Sequence, residues 1–184
     1  MKTWISLTLI TLLSIAGLNA GDNVHEFTVK DITGEDVSLA DYKGKALLIV
    51  NVASKCGLTP QYDNLQRLYQ EYSEKGLVVM GFPANNYGGQ EPGTNIVIKE
   101  FCETNFAVTF PMFSKVSVDG DDQVDLFKYL TTAENPDRKG RITWNFEKFL
   151  VGKDGKLLRR FRSGEEPDST TVKAAVEEAL KAEG

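Results

Sequence analysis

The run Ala46-Leu-Leu-Ile-Val-Asn-Val52, followed directly by Ala53-Ser-Lys-Cys-Gly57, is the stretch that decides the fold. Such a nearly continuous apolar run is typical of a central strand that is buried on both faces. A helical pattern begins soon afterwards, so Cys56 occupies a turn between a strand and a helix. Unpaired N–H groups at a helix start carry partial positive charge and favour a thiolate over a thiol. This placement indicates a reactive cysteine, and a small buried side chain is the alternative interpretation.

The segments on either side of this strand predict a layered α/β domain. Partial apolar alternation around Ile32-Thr33-Gly34 predicts an N-terminal hairpin, and a helical pattern starts near Pro60 and stops before Gly76. The remaining predicted elements are a buried strand at 77–82, a helix from Thr94 to about 105, a strand at 112–118, a helix at 124–132, a hairpin around Asp154-Gly155 and a last helix at 170–182. This order predicts one mixed central sheet flanked by helices.

Length and charge limit the classes of protein to consider. A chain of 184 residues accommodates one domain of ordinary size. The net charge is -5, and the basic residues form no cluster larger than Arg159-Arg160. We therefore expect no nucleic-acid partner.

Residues 1–20 differ in character from the rest of the chain. Lys2 is followed by an apolar stretch at 4–18, and Ala20 precedes Gly21. This pattern predicts a cleavable secretory signal at 1–20 and a mature domain at 21–184, with an uncleaved anchor as the alternative because Leu18 is large for its position. The stretch is shorter than the roughly 20 residues that span a bilayer, so we expect no stable membrane insertion. We therefore expect the protein to be exported. The periplasm is the expected compartment, and the medium and a secretory lumen are the alternatives.

The chain has two cysteines, Cys56 and Cys102, and export would place them where disulfides can persist. A structural disulfide between them would stabilise the fold by about 4 kcal/mol. A Cys-X-X-Cys pair is absent, so the sequence does not indicate an ordinary dithiol oxidoreductase. His25 is the one histidine, so we expect no metal site, and a cysteine-protease pair would need that distant histidine, which we expect at the surface.

Two further stretches carry polar groups that could act on a sulfur atom. Gln90 follows the buried strand at 77–82, and Trp144-Asn145 begins at the edge of another strand. Loops at the carboxyl ends of parallel strands share one sheet edge, so Gln90 can converge on Cys56. Amide and indole N–H groups would stabilise a thiolate and hold a small polar molecule. Taken singly, these residues are more often turn, cap or core residues.

Three blocks of this chain together closely resemble the signature blocks of the glutathione peroxidase family. They are Asn51-Val-Ala-Ser-Lys-Cys56-Gly, Gly88-Gly-Gln90-Glu-Pro and Trp144-Asn145-Phe-Glu-Lys-Phe-Leu. Order, spacing and flanking sequence agree from about Phe27 to the C-terminus. The resemblance implies a thioredoxin-like fold in which Cys56, Gln90, Trp144 and Asn145 form the family's catalytic tetrad.

The resemblance also implies a reaction and its partners. Cys102 is similar in position to the resolving cysteine of the thioredoxin-dependent branch. In that branch Cys56 would reduce hydrogen peroxide or an organic or lipid hydroperoxide, Cys102 would capture the sulfenic acid, and a thioredoxin-like protein or glutathione would act as reductant. No cofactor is implied. The short stretch at 133–143 resembles monomeric members.

Two alternatives remain open from the residues. One is an exported thiol–disulfide oxidoreductase, which would reduce protein disulfides without peroxide. The other is a non-enzymatic exported domain with a structural Cys56–Cys102 disulfide. Neither accounts for the presence of Gln90 and Trp144-Asn145 in this order with Cys56.

Overall fold

Six strands form two sheets in the computed structural model, which describes residues 22–182. The strands are β1 (Thr28–Lys30), β2 (Asp36–Ser38), β3 (Ala46–Val52), β4 (Leu77–Pro83), β5 (Lys148–Val151) and β6 (Leu157–Phe161). β1 and β2 pair in antiparallel fashion and confirm the predicted N-terminal hairpin. The other four strands follow the order β4-β3-β5-β6. β3 is parallel to β4 and antiparallel to β5, so the sheet is mixed as predicted.

Four α-helices cover the two faces of this sheet. They are α1 (Gln61–Tyr72), α2 (Asn95–Phe106), α3 (Asp125–Thr132) and α4 (Thr170–Lys181). Alternate residues of β3 point into two separate apolar cores, because side chains of a strand alternate between its faces. Ala46, Leu48 and Val50 join the core beneath α1, α2 and α4, whereas Leu47 and Ile49 join the core beneath α3. The fully buried pattern of β3 confirms that this strand is central.

The strand directions bring three loops to one edge of the sheet. Because β3 and β4 are parallel, with Val52 opposite Pro83, the segments after both strands leave at the same end. β5 runs the other way, with Lys148 opposite Val50, so the segment before β5 arrives at that same end. These are the segments that contain Cys56, Gln90 and Asn145.

The predicted strand at 112–118 is wrong. This segment forms only two isolated bridges, one between Asp31 and Phe113 and one between Gly81 and Met112. It lies between the hairpin and β4 and bonds to each in turn. Phe113 N donates to Gly81 O at 2.9 Å, and the next residue, Ser114, donates its N–H to Lys30 O at 2.9 Å. No single partner therefore forms a continuous ladder with it.

The other predicted elements are confirmed with small changes at their ends. α1 stops at Tyr72, and a short 3-10 helix (Ser73–Lys75) continues to Gly76, whose φ of 105° ends the run. The Thr94 hydroxyl accepts a hydrogen bond from Val97 N at 3.4 Å and caps α2 as predicted. The predicted signal at 1–20 lies outside the described residues. Among residues 22–182, no helix is long and apolar enough to cross a bilayer.

Candidate active site

Cys56 lies in a tight turn that fixes its backbone and supplies one donor to its sulfur. The Cys56 N–H donates to Thr59 Oγ1 at 2.9 Å, and the Thr59 hydroxyl donates onward to Ala53 O at 2.8 Å. The Leu58 N–H points at Cys56 Sγ, with a nitrogen–sulfur distance of 3.4 Å. The cysteine is largely buried, with 8% of its surface exposed.

The predicted relation between Cys56 and the following helix needs a correction. α1 begins at Gln61, and the residues between Cys56 and this helix form tight turns. Thr59 N donates to Cys56 O at 3.1 Å, and Gln61 N donates to Leu58 O at 2.9 Å. Pro60 cannot donate a backbone hydrogen bond, which favours tight turns over an earlier start of α1. The donor at the sulfur is therefore the local Leu58 N–H and not the first turn of α1.

The loop after β4 meets the Cys56 turn, as predicted. Gly88 and Gly89 have φ values of 64° and 63°, a left-handed conformation that favours glycine, and they turn the chain back towards β3. Gln90 O then accepts the Lys55 N–H at 3.0 Å. Ser54 Oγ donates to Glu91 Oε2 at 3.0 Å, while burial raises the pKa of Glu91. The two loops are thus joined at Ser54 and at Lys55.

Asn145 joins the third segment to this pair of loops. Its Nδ2 donates to Gln90 Oε1 at 2.9 Å, although 55 residues separate the two amides in the chain. Asn145 is fully buried, and its Oδ1 has no hydrogen-bond partner within the described residues. An unpaired buried acceptor of this kind is uncommon in folded proteins. It leaves one polar atom of the site available to a proton donor.

Trp144 directly precedes Asn145 in the chain, and its indole N–H has no hydrogen-bond partner within the described residues. The side chain is 40% exposed, and its ring lies 6.0 Å from the ring centroid of Tyr87. The structure therefore brings Gln90 and Asn145 into direct contact beside the Cys56 turn, while the neighbouring Trp144 side chain is exposed.

A buried ion pair fixes the loop that leads to Trp144. Glu147 accepts from Arg160 Nε at 3.0 Å, from Arg138 Nη2 at 2.7 Å and from Thr143 N at 2.8 Å. Arg160 also donates to Gly140 O at 2.6 Å. Glu147 and Arg160 are both fully buried. No local pattern in the sequence links this cluster or Thr59 to Cys56, so neither was predicted.

Cys102 is buried more deeply than Cys56, in the middle of α2. It is 1% exposed, and burial raises the pKa of its thiol to about 11. The buried Tyr62 hydroxyl lies beside this thiol and opposes part of the increase in its pKa. This hydroxyl has no hydrogen-bond partner of normal geometry within the described residues. Cys56 and Cys102 are both free thiols in the structure.

His25 lies at the opposite end of the sheet from Cys56. The neighbouring Val24 N donates to Gly155 O at 2.8 Å, in the turn between β5 and β6. His25 is partly exposed, in agreement with the predicted surface position, and its imidazole occupies the space beside Gly155, which has no side chain. This position excludes the cysteine-protease pairing with Cys56.

Comparisons with known proteins agree with this architecture. The family profile described as glutathione peroxidase matches residues 24–131. The glutathione peroxidase homolog BsaA of Halalkalibacterium halodurans is 46% identical over 158 residues, which are 86% of this chain and 99% of that protein. The hydroperoxy fatty acid reductase gpx1 of Synechocystis sp. is 46% identical over 167 residues, 88% of this chain and 98% of that protein.

A solved structure extends the agreement to three dimensions. The crystal structure of Trgpx in apo form superposes with a TM-score of 0.71 at 39% identity and covers 87% of this chain and 96% of that one. This shared architecture confirms the predicted thioredoxin-like fold, and the relatives confirm a peroxidase. The chain therefore belongs to the glutathione peroxidase family.

Proposed function

We propose that this peroxidase reduces hydroperoxides through a two-cysteine cycle, in which Cys56 is oxidised by the peroxide and Cys102 resolves the oxidised sulfur. The observation that carries the proposal is the contact between Gln90 and Asn145 beside the Cys56 turn. A single loop could hold a reactive cysteine by chance. Three separate segments meet beside the Cys56 turn, through the bonds from Lys55 N to Gln90 O and from Asn145 Nδ2 to Gln90 Oε1, and this meeting supports a built site.

In the first step the Cys56 thiolate attacks one peroxide oxygen, and the O–O bond breaks. The sulfur becomes a sulfenic acid, and the other oxygen leaves as water or an alcohol after it takes up a proton. Amide N–H groups of Gln90 and Asn145 and the Trp144 indole N–H would stabilise the charge on the leaving oxygen. The unpaired Asn145 Oδ1 supports this assignment, because a buried amide that served packing alone would normally have both of its polar atoms paired.

In the second step the Cys102 sulfur attacks the Cys56 sulfenic acid. An S–S bond forms, the S–O bond breaks, and the hydroxyl group leaves as water together with the Cys102 proton. A disulfide requires Cα atoms within about 7 Å of each other. Because α2 holds Cys102 as a buried thiol with a raised pKa, we expect this helix to open before the attack. A thioredoxin-like dithiol, or glutathione, would then reduce the disulfide by thiol exchange.

The substrate class in this proposal includes hydrogen peroxide and organic or lipid hydroperoxides. Gly88, Gly89 and Trp144, which lie close to Gln90 and Asn145 in the chain, are exposed, and we expect this exposed side to accommodate a bulky substituent on the peroxide. The printed name of the Synechocystis relative, a hydroperoxy fatty acid reductase, supports the lipid part of this class. We further propose that the enzyme works as a monomer without a cofactor and that residues 1–20 export it, most simply to the periplasm.

Peroxide consumption by residues 21–184 tests the cycle, with either thioredoxin and its reductase or glutathione as electron donor. We expect sustained turnover with thioredoxin, no reaction in Cys56→Ser, and about one equivalent of peroxide consumed by Cys102→Ser. Glutathione-driven turnover that survives Cys102→Ser would contradict the two-cysteine cycle. Insulin reduction without peroxide consumption would favour the thiol–disulfide oxidoreductase alternative instead.

A separate experiment tests export. The full chain is expressed in a bacterial host, and the periplasmic fraction is analysed by mass spectrometry. A periplasmic product that begins at Gly21 is the expected result. A product that retains residues 1–20 and stays with the membrane fraction would contradict cleavage and favour the anchor.

A further inference from the structure

We propose that Asn51 is a positioning residue for peroxide reduction, which holds the Trp144-Asn145 turn in the conformation that the site needs. This inference rests on the proposed function of the Cys56 site. Asn51 does not touch the reacting atoms in this proposal. It acts through Asn145, which contacts Gln90.

Both polar groups of the Asn51 side chain bond to this one turn. Asn51 Nδ2 donates to Trp144 O at 3.1 Å, and Asn51 Oδ1 accepts the Glu147 N–H at 3.0 Å. The Asn51 main chain adds a third bond, because its carbonyl oxygen accepts the Phe146 N–H at 2.6 Å. The side chain thus holds the residue before Asn145 and the residue two positions after it.

The turn between these two bonds has an unfavourable backbone conformation. Phe146 has a φ of 65°, and this left-handed region is unusual for a bulky residue. The Phe146 ring is fully buried and meets the Tyr62 ring edge-on, at 5.6 Å between centroids. Such a conformation persists only when surrounding contacts determine it strongly. The bonds from Asn51 and the packing of the Phe146 ring are those contacts.

The position of Asn51 in β3 also indicates a role beyond core packing. The residue is fully buried in a strand whose other members are all apolar. Its backbone pairs with Phe82 of β4 whatever its side chain is. An apolar side chain would satisfy the strand and the core, whereas a buried amide needs polar partners. Within the described residues, Asn51 finds them only in the turn that carries Asn145.

Loss of this amide would affect one chemical step selectively. Without Asn51 the Trp144 carbonyl and the Glu147 N–H lose their partners, and the turn can relax to a common backbone conformation. The Asn145 amide would then move away from Gln90 and from the peroxide. Peroxide attack by Cys56 should slow strongly, because a displacement of about 1 Å in a positioned group costs about a hundredfold in rate. Reduction of a preformed disulfide by thioredoxin does not use Asn145 and should not change.

Two variants of Asn51 and one matched control test this assignment. Asn51→Leu removes both side-chain bonds, and Asn51→Asp keeps the acceptor for the Glu147 N–H. Gln66→Leu is the control, because Gln66 is 5% exposed and also makes two side-chain bonds to one partner, Thr109, on another part of the fold. Each variant is checked by thermal unfolding. The rate of Cys56 oxidation by hydrogen peroxide is followed by dimedone trapping, and the rate of disulfide reduction by thioredoxin is measured separately.

We expect Asn51→Leu to lose about a hundredfold in the peroxide rate and Asn51→Asp to lose less, with disulfide reduction unchanged in both. Gln66→Leu should lose a similar amount of stability and keep the peroxide rate. A normal peroxide rate in Asn51→Leu would overturn the inference, and if that variant does not fold, a normal rate in folded Asn51→Asp would do the same. Equal losses in both reactions, or an equal peroxide loss in Gln66→Leu, would show a purely structural role. Absence of any peroxide reaction in the wild-type protein would refute the proposed function itself.

Discussion

Glu147→Gln tests how much the buried ion pair contributes to the stability of the fold. The change keeps the size of the side chain and removes its charge. Arg160, whose side chain is fully buried, would then face an amide in place of a carboxylate. Arg138 would lose the same partner, but its side chain is 19% exposed, so water can hydrate it in part. The variant therefore leaves one fully buried cation without a counterion.

The size of this effect follows from the burial. Removing one partner of a fully buried ion pair typically costs about 3–5 kcal/mol. For a domain of this length, each kcal/mol lowers the melting temperature by about 2–4 °C, so we expect a decrease of about 6–20 °C. The control is Asp36→Asn, which breaks the exposed pair with Lys30 at 2.9 Å. Exposed pairs contribute little, so this control should melt as the wild type does.

Thermal unfolding of the reduced proteins, followed by circular dichroism or calorimetry, measures both variants under the same conditions. A melting temperature of Glu147→Gln close to that of the wild type would refute the reasoning. It would mean that Arg160 finds another partner or water at no cost. A decrease of the same size in Asp36→Asn would also refute it, because burial would then not explain the difference.

Three further predictions concern the cysteines. Burial raises the pKa of the Cys102 thiol from its usual 9.0 to about 11 in the folded protein. The contribution of this thiol to the free energy of unfolding of the reduced protein is therefore complete below pH 9, and about 2–3 kcal/mol of it is lost as the pH rises towards 11. Urea unfolding across this range should show a weaker pH dependence in Cys102→Ala, and identical curves would contradict the burial effect. Amide exchange across residues 96–105 should be faster in the oxidised protein than in the reduced protein, and equal exchange would argue against opening of α2. Thr59→Val leaves the Cys56 N–H unpaired and should cost about 1–3 kcal/mol together with part of the peroxide rate. Thr59→Ser keeps the hydroxyl, so a loss in Thr59→Ser as large as that in Thr59→Val would contradict the role of this bond.

The sequence predicted the elements that depend on local patterns. The apolar run of β3, the turn glycines and the helix cap at Thr94 act through neighbours in the chain, so their structures follow from composition and spacing. The convergence of Cys56 and Gln90 was also predictable, because it needs only two parallel strands. The segment at 112–118 was predicted wrongly because its apolar residues pack between two partners, and a periodic pattern does not reveal how many partners a segment has.

The sequence by itself determined the fold class and identified Cys56, Gln90, Trp144 and Asn145 as candidate site residues. Both results rest on short stretches of sequence, namely the apolar run of β3 and the three motifs. Only the tertiary structure decided how these side chains are held. Asn51 bonds to Trp144 across 93 positions, and Glu147 bonds to Arg160 across 13. Such bonds depend on strand register and on the left-handed backbone conformation of Phe146. The packing of the whole domain determines both. A local sequence pattern does not reveal a hydrogen-bond partner that only the folded chain brings close.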